Sequence, residues 1–352
     1  MITYSKSSAS NNAFFGKIET PIKMIIERQS DILSNKNGIC NQLFNVERSY
    51  RYGETIIGEN EFNMFMPTAE GATAKSDSIV ETYRKFIEHI QFTKEFAITA
   101  EMLEDAQFGV AADAKRRAEN FVRAYYKTIN KICETALVNG TEKNVNFAGT
   151  NIDLSAPDGN PLFYYNHTYA KGTEHESEQS NYFWGDIFYS GAVGSRTPSL
   201  KVFEEALAKL SINLRNMKDE NGESLGYEAD TIILPGNRPV AEWIAKKVCG
   251  TYAGLGETAD INLHFGKWNI IIIPSWETES DSIMVMSSEA NKNLCGNMFF
   301  NRVPLTVTNW VDPHTSNYIW NGRCRFGVGF GSYKHILLAV DSIGEIQGAS
   351  QL

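Results

Sequence analysis

The stretch ADAKRRAENFVRAYYKTINKICETALV, residues 112–138, decides how the chain is read. Ala118, Val122, Tyr125, Ile129, Ile132 and Ala136 recur at three- and four-residue steps, while Lys115, Arg116, Glu119, Arg123, Lys127, Lys131 and Glu134 fall elsewhere around the cylinder. Asn139-Gly140 then supplies a stop. At ~1.5 Å per residue the predicted helix is roughly 40 Å long, beyond the usual three or four turns, and it reads as a strut.

Upstream of the strut lies a region unusual for a compact enzyme. Glu61–Pro67 is a short strand-like run, and Thr68–Ser78 is small and polar. Strand character then resumes through Phe86, Ile90, Phe92, Phe96 and Ile98, with polar residues at alternate positions. Two long strands joined by such a tip make an extended hairpin over 51–95. A hairpin of that length cannot bury both faces on its own body, so a neighbouring subunit is expected to cover it, in competition with an ordinary surface meander. Before it, residues 1–50 read as an arm, with a short amphipathic helix from Ile22 to Leu33 that begins near Pro21 and ends before the Asn35–Gly38 turn signal.

Downstream the chain changes character. Asp158–Tyr169 is an aromatic-rich loop. Thr197 is predicted to cap a helix with Pro198 in its first turn and Leu200, Phe203, Leu207, Leu210 and Leu214 on one face. A strand over 230–237, a helix over 238–248 and a buried strand over 268–274 complete an α/β lobe. After Met284 the pattern is mostly strand, through 303–310, 318–326 and 336–341, so the lobe reads as an insertion in another domain.

Composition narrows the function. The chain has 352 residues, with 33 Lys and Arg against 42 Asp and Glu, a net charge of −9. An acidic chain with 42% hydrophobic residues is not disordered, and its main business is not gripping phosphates. The start is polar, without the apolar core of a secretory signal, and no apolar run is long enough to span a bilayer. Cys40, Cys133, Cys249, Cys295 and Cys324 are odd in number, scattered and never spaced Cys-x-x-Cys, which fits a reducing cytoplasm.

Catalytic constellations are missing from the pattern. His175-Glu-Ser-Glu-Gln179 begins like a zincin motif, but Gln179 stands where the second histidine belongs. Gly327-Val-Gly-Phe-Gly-Ser332 resembles a dinucleotide fingerprint with Ser332 in place of its last glycine, too near the end of the chain for a following helix and strand; a bend in a strand fits it better. The six histidines are dispersed and read as packed or surface residues. No enzyme, metal or cofactor is expected. Lys75 in the hairpin tip has isopeptide chemistry open to it after assembly, against the plainer reading of a solvated lysine.

The order of parts (arm, hairpin, strut, inserted lobe, returning strands) resembles the major capsid proteins of tailed bacteriophages with the Hong Kong 97-type fold. Local sequence points to the Mu-type major head subunits. Phe96–Gly109 is similar to the segment before their spine helix, Asp158–His167 to an Asp-Gly-x-x-Leu-Phe…His stretch, and Met217–Gly226 with Ile232–Pro235 to a turn before a strand ending in Pro. Thr168 departs from the family, which more often has Gly after that histidine.

The resemblance implies an α+β fold with an N-arm over 1–50, an E-loop hairpin over 51–95, a P-domain over 96–195 with spine helix 112–138, an A-domain over 196–300, and P-domain return strands over 301–352. It implies hexamers and pentamers in a shell around double-stranded DNA held without sequence-specific contacts, and no membrane. Subunit contacts fall on Phe62, Phe65, Glu70, Lys75 and Asp77 of the E-loop and on Tyr252, Leu255 and Glu257 at the capsomer axis. Implied partners are further copies, a separate scaffold or maturation protease, a portal and decoration proteins; the place is the virion, with assembly in the host cytoplasm. An encapsulin-like compartment shell and, with less support, a cytoplasmic α/β enzyme stay open.

Overall fold

The computed structural model describes residues 3–4, 15–34, 38–59, 65, 67–73, 81–104, 112–168, 179–192, 195–220, 222–250, 262, 264–342 and 344–352. The chain divides into two compact units, each assembled from three separate pieces of sequence.

The first unit takes Met1–Glu54, Ile87–Cys133 and Phe299–Val328. Its sheet runs in the order Thr3–Tyr4, Asn297–Val311, Tyr318–Phe330 and Ile90–Ile98, with Asn45–Arg48 also paired to Asn297–Val311. Tyr318 stands opposite Ile98 and Phe326 opposite Ile90, antiparallel throughout. The predicted strut is observed as the helix Ala112–Val138. Its Ala114, Ala118, Phe121 and Val122 share a core with Ile98, Leu305, Val307, Tyr318 and Trp320 of the sheet, and Ile22 and Ile26 of the arm join them. Phe96 stacks on Trp320 with ring centroids 6.1 Å apart. Gly322 is dictated by this packing, since a methyl there would lie 2.3 Å from the Phe121 ring.

The arm helix is longer than its sequence pattern predicts, spanning Phe15–Ser34 with Pro21 inside it. A proline within a helix costs about 3 kcal/mol intrinsically, and the complete burial of Ile22 and Ile26 just beyond it offsets that cost.

The second unit takes Thr55–Phe86, Glu134–Met298 and Gly329–Leu352. Its six-stranded sheet has the order Asn269–Ile273, Thr231–Pro235, Ser282–Met286, Ile336–Asp341, Tyr182–Gly185 and Ser350–Gln351. Thr231–Pro235 and Asn269–Ile273 run parallel, which requires a crossover, and the helix Pro239–Gly250 lies in the connection. Its Ala241, Ile244, Ala245 and Val248 enter one core with Phe203, Leu207, Leu210 and Leu214 of the helix Leu200–Arg215 and with Ile232, Leu234, Ile283 and Val285 of the sheet. Buried Asp341 accepts the N–H groups of Ile187 and Phe188 at 2.8 and 2.6 Å and pairs with Arg196, which secures the loop before the helix.

Two predicted boundaries are corrected. Ser199, not Thr197, caps the Leu200–Arg215 helix, its hydroxyl accepting the Val202 N–H at 3.4 Å. Pro198 biases Thr197 toward extended backbone, and Thr197–Pro198 accordingly pairs with Tyr189–Ser190 as a short ladder. The strand expected to continue unbroken through Phe86 and Ile98 is two strands, Glu81–Glu88 and Ile90–Ile98. The first pairs with Gly53–Glu59 and the second with Tyr318–Phe330, so His89 stands where the chain passes from one sheet to another.

Candidate assembly surface

Gly53–Glu59 and Glu81–Glu88 form a two-stranded sheet of their own. Alternation gives the pair an inner and an outer side. Lys85 points inward, 5% exposed, and its Nζ donates to Asp153 Oδ2 at 2.6 Å and to Ser155 Oγ at 2.8 Å. Burial pushes the Asp153 carboxyl up, but the bonds from Lys85 and Ser155 outweigh it and hold the group below the ordinary carboxylate range. The Tyr83 hydroxyl donates to the Thr168 carbonyl, and burial followed by the charge of Glu220 pushes its phenol up. On the outer side Ile57 and Phe86 remain 43% and 50% exposed.

The tip carries two of the predicted contact residues in described positions. Phe65 is fully exposed, and Glu70 is exposed at the corner of a turn closed by Ala72 N–H to Ala69 O at 3.0 Å. Gly71 follows at φ 81°, the left-handed region that favours glycine. Phe62, Lys75, Asp77 and most of the predicted 61–67 strand lie outside the described residues. At the root of the hairpin the Tyr52 hydroxyl donates to Glu88, Ser49 donates to Glu54 at 2.6 Å, and burial pushes the His89 imidazole down.

Tyr252, Leu255 and Glu257 also lie outside the described residues. The segments flanking them are anchored: buried Asn262 donates its amide to Val248 O at 2.5 Å, and Gly266 N–H reaches Cys249 O at 3.3 Å. Two exposed aromatics of this lobe did not enter the predicted contact set, Trp243 at 55% and Phe265 at 49% exposure. Trp243 was readable, because it falls off the buried 241, 244, 245, 248 stripe of its helix. Phe265 sits in a turn whose sequence carries no periodic signal.

A cavity of about 320 Å³ opens among Ile56, Tyr83, Glu220, Leu294, Tyr333 and Lys334. Lys334 Nζ bonds Glu220 at 2.6 Å with both side chains buried. Beside it His167, fully buried, bonds Asp158 through Nδ1 at 2.7 Å and stacks on Tyr333 at 3.8 Å. Burial pushes the Asp158 carboxyl up, but the bond and charge of His167 together with the bonds from Asn160 outweigh it and hold the group below the ordinary carboxylate range. His335, bonded to Asn297 at 2.8 Å, is pushed down to about 3 by burial. These contacts tie the 158–167 loop to the turn at 331–335. Among the described residues no group of three or more His, Cys, Asp or Glu could hold a metal ion.

The remaining motifs have structural explanations. Gln179 forms a backbone bridge with His167, and His175 lies outside the described residues. Gly327 lies within the Tyr318–Phe330 strand where a methyl would sit 2.6 Å from Glu88 O, and Gly331 donates to Cys295 O and Gly296 O at 3.1 and 2.9 Å. Close backbone approach therefore accounts for these glycines. No helix among the described residues is long and apolar enough to cross a membrane.

A family model described as phage capsid protein matches residues 82–339. No curated protein matches the chain. Among solved structures it is similar to a chain of Mycobacterium phage Patience, with 12% identity over 98% of this chain and 94% of that one and a TM-score of 0.49. It is also similar to the capsid of an empty GTA particle, with 14% identity over 88% and 91% and a TM-score of 0.48. A virus-like particle from Pyrococcus furiosus gives 8% identity over 91% and 98% and a TM-score of 0.46.

Proposed function

The chain belongs to the phage capsid protein family, and on that footing we propose that it is the major head subunit of a tailed bacteriophage, of the Mu-type branch with the Hong Kong 97-type fold. Copies form hexamers and pentamers of a closed shell around double-stranded DNA. The role is structural and no chemistry is catalysed. In this reading residues 1–50 are the N-arm, 51–95 the E-loop, 96–195 with 301–352 the P-domain, and 196–300 the A-domain, except that Tyr182–Gly185, Ile336–Asp341 and Ser350–Gln351 pair into the sheet of the last and go with it.

The observation that carries the proposal is the bare hairpin. A sheet that has two strands among the described residues, with Ile57 and Phe86 on its outer side and Phe65 at its tip, is marginal alone and gains most from a covering neighbour. Phe62, Phe65, Glu70, Lys75 and Asp77 are assigned to that contact, and Tyr252, Leu255 and Glu257 to the meeting of subunits at the capsomer axis. Scaffold or protease, portal and decoration proteins act on the same shell, which assembles in the host cytoplasm and ends in the virion.

Negative-stain microscopy of the purified protein tests the proposal. Capsomer rings or closed particles are the expected result. Discrete monomers at every concentration would overturn it, and small uniform shells packed with a foreign enzyme would transfer the chain to the encapsulin-like class.

A further inference from the structure

The charge of the long helix runs against the charge of the chain. Ala112–Val138 holds six basic residues, Lys115, Arg116, Arg117, Arg123, Lys127 and Lys131, against three acidic ones, Asp113, Glu119 and Glu134. Its net charge is thus +3 within a chain of −9, and everything outside it carries −12.

All six basic side chains are exposed. Arg116, Arg123, Lys127 and Lys131 follow one another at steps of seven, four and four, which sets them in a line along the cylinder, about 22 Å from first to last at ~1.5 Å per residue. The opposite side of the helix is buried through Ala114, Ala118, Phe121 and Val122, so the basic line faces outward. Arg116 pairs with Asp113 at 2.9 Å and Arg123 approaches Glu119 at 3.9 Å. The first pair is largely in solvent and both arginines are exposed, so exchange for another anion costs little.

The character of the surface distinguishes its partner. A contact between subunits needs apolar or aromatic anchors at its centre. None of the exposed large hydrophobic side chains among the described residues lies on this helix, and the exposed position within the line is Asn120. Duplex DNA offers a rod with about one negative charge per 1.7 Å of axis and asks for basic groups in a row, without apolar anchors.

We propose that the Arg116–Lys131 face of the long helix binds the phosphates of double-stranded DNA. The inference rests on the shell reading for the presence of DNA, and it refines it: the wall repels DNA through most of its surface and receives it along this helix. The contact is sequence-independent in this proposal, because a row of exposed basic groups at helical spacing meets the regularly spaced phosphates of the duplex backbone.

The test is fluorescence anisotropy of a labelled 30-base-pair duplex with the purified full chain, titrated from 50 to 200 mM salt, and repeated with a second duplex of unrelated sequence. The wild type is expected to bind both duplexes equally, with affinity falling steeply as salt rises. Arg123→Gln/Lys127→Gln/Lys131→Gln is expected to lower the slope of log affinity on log salt by about 2–3, at ~0.9 per phosphate contact, with at least a tenfold loss of affinity at the lowest salt. Lys127→Glu alone, a change at one exposed position, is expected to lower the slope by about 1. Lys201→Gln/Lys209→Gln, on exposed positions of another helix, serves as the control and is expected to bind as the wild type does. No binding by the wild type at 50 mM salt, or equal binding by the triple variant and the control, would overturn the proposal. So would a triple variant that binds DNA normally but forms no particles, which would make a second copy the partner of this face. Failure of the shell reading is seen separately, as wild-type protein that forms no particles by microscopy.

Discussion

The molecule contains two long antiparallel strand pairs that have met different fates. Asn297–Val311 and Tyr318–Phe330 are flanked by Ile90–Ile98 on one edge and by Thr3–Tyr4 and Asn45–Arg48 on the other, and Trp320 and Phe326 are fully buried. Among the described residues Gly53–Glu59 and Glu81–Glu88 pair only with each other, pinned on one side by Lys85 and left with Ile57 and Phe86 partly in solvent on the other. The motif is the same. Among the described residues the difference is a third strand and a covering helix, and on the proposed reading a neighbouring copy supplies what the second pair lacks.

The comparison breaks most readily at the covered pair. Trp320→Ala removes a wholly buried ring stacked on Phe96, and urea denaturation is expected to show a loss of about 3–5 kcal/mol. Gly322→Ala thrusts a methyl at Phe121 and is expected to cost about 1–3 kcal/mol in the same measurement. At the bare pair the sensitive residue is Lys85. Lys85→Met leaves Asp153 exposed enough to be hydrated, so the expected loss is about 1–2 kcal/mol, read as faster amide exchange confined to 53–59 and 81–88.

Acid sharpens the same contrast. The folded-state carboxyl of Asp153 is held low, so its contribution is complete above the unfolded value near ~3.9 and is lost as pH falls through the lower folded value. Protection of the hairpin amides is expected to fall below about pH 4 in the wild type, and Lys85→Met is expected to abolish that dependence. The smallest effect on the subunit belongs to the outer face. Phe86→Ser is expected to change stability by less than about 0.5 kcal/mol, because half of its surface already faces water.

The parts legible in the sequence were those whose signal is local. Residues 112–138 repeat their apolar step over 27 residues, and the runs at 231–235, 269–273 and 336–341 are apolar enough to be buried strands wherever they pair. The break at His89 was hidden because both flanking segments alternate in the same way. What separates them is pairing with Gly53–Glu59 in one case and with a strand more than 200 residues later in the other. Ser199 was hidden behind Thr197, an equally good capping residue until Pro198 is considered. Of the proposed contact residues Phe65 and Glu70 are exposed; Trp243 is outside that set, although its place on the helical wheel announces its exposure.

The central claim is that the bare hairpin is an assembly element. Sedimentation velocity of Phe65→Ser/Phe86→Ser beside the wild type, with thermal melting of both, tests it most directly. The account predicts cooperative melting of both proteins, large assemblies for the wild type and only small species for the variant. A variant that sediments as the same large assemblies as the wild type would contradict it.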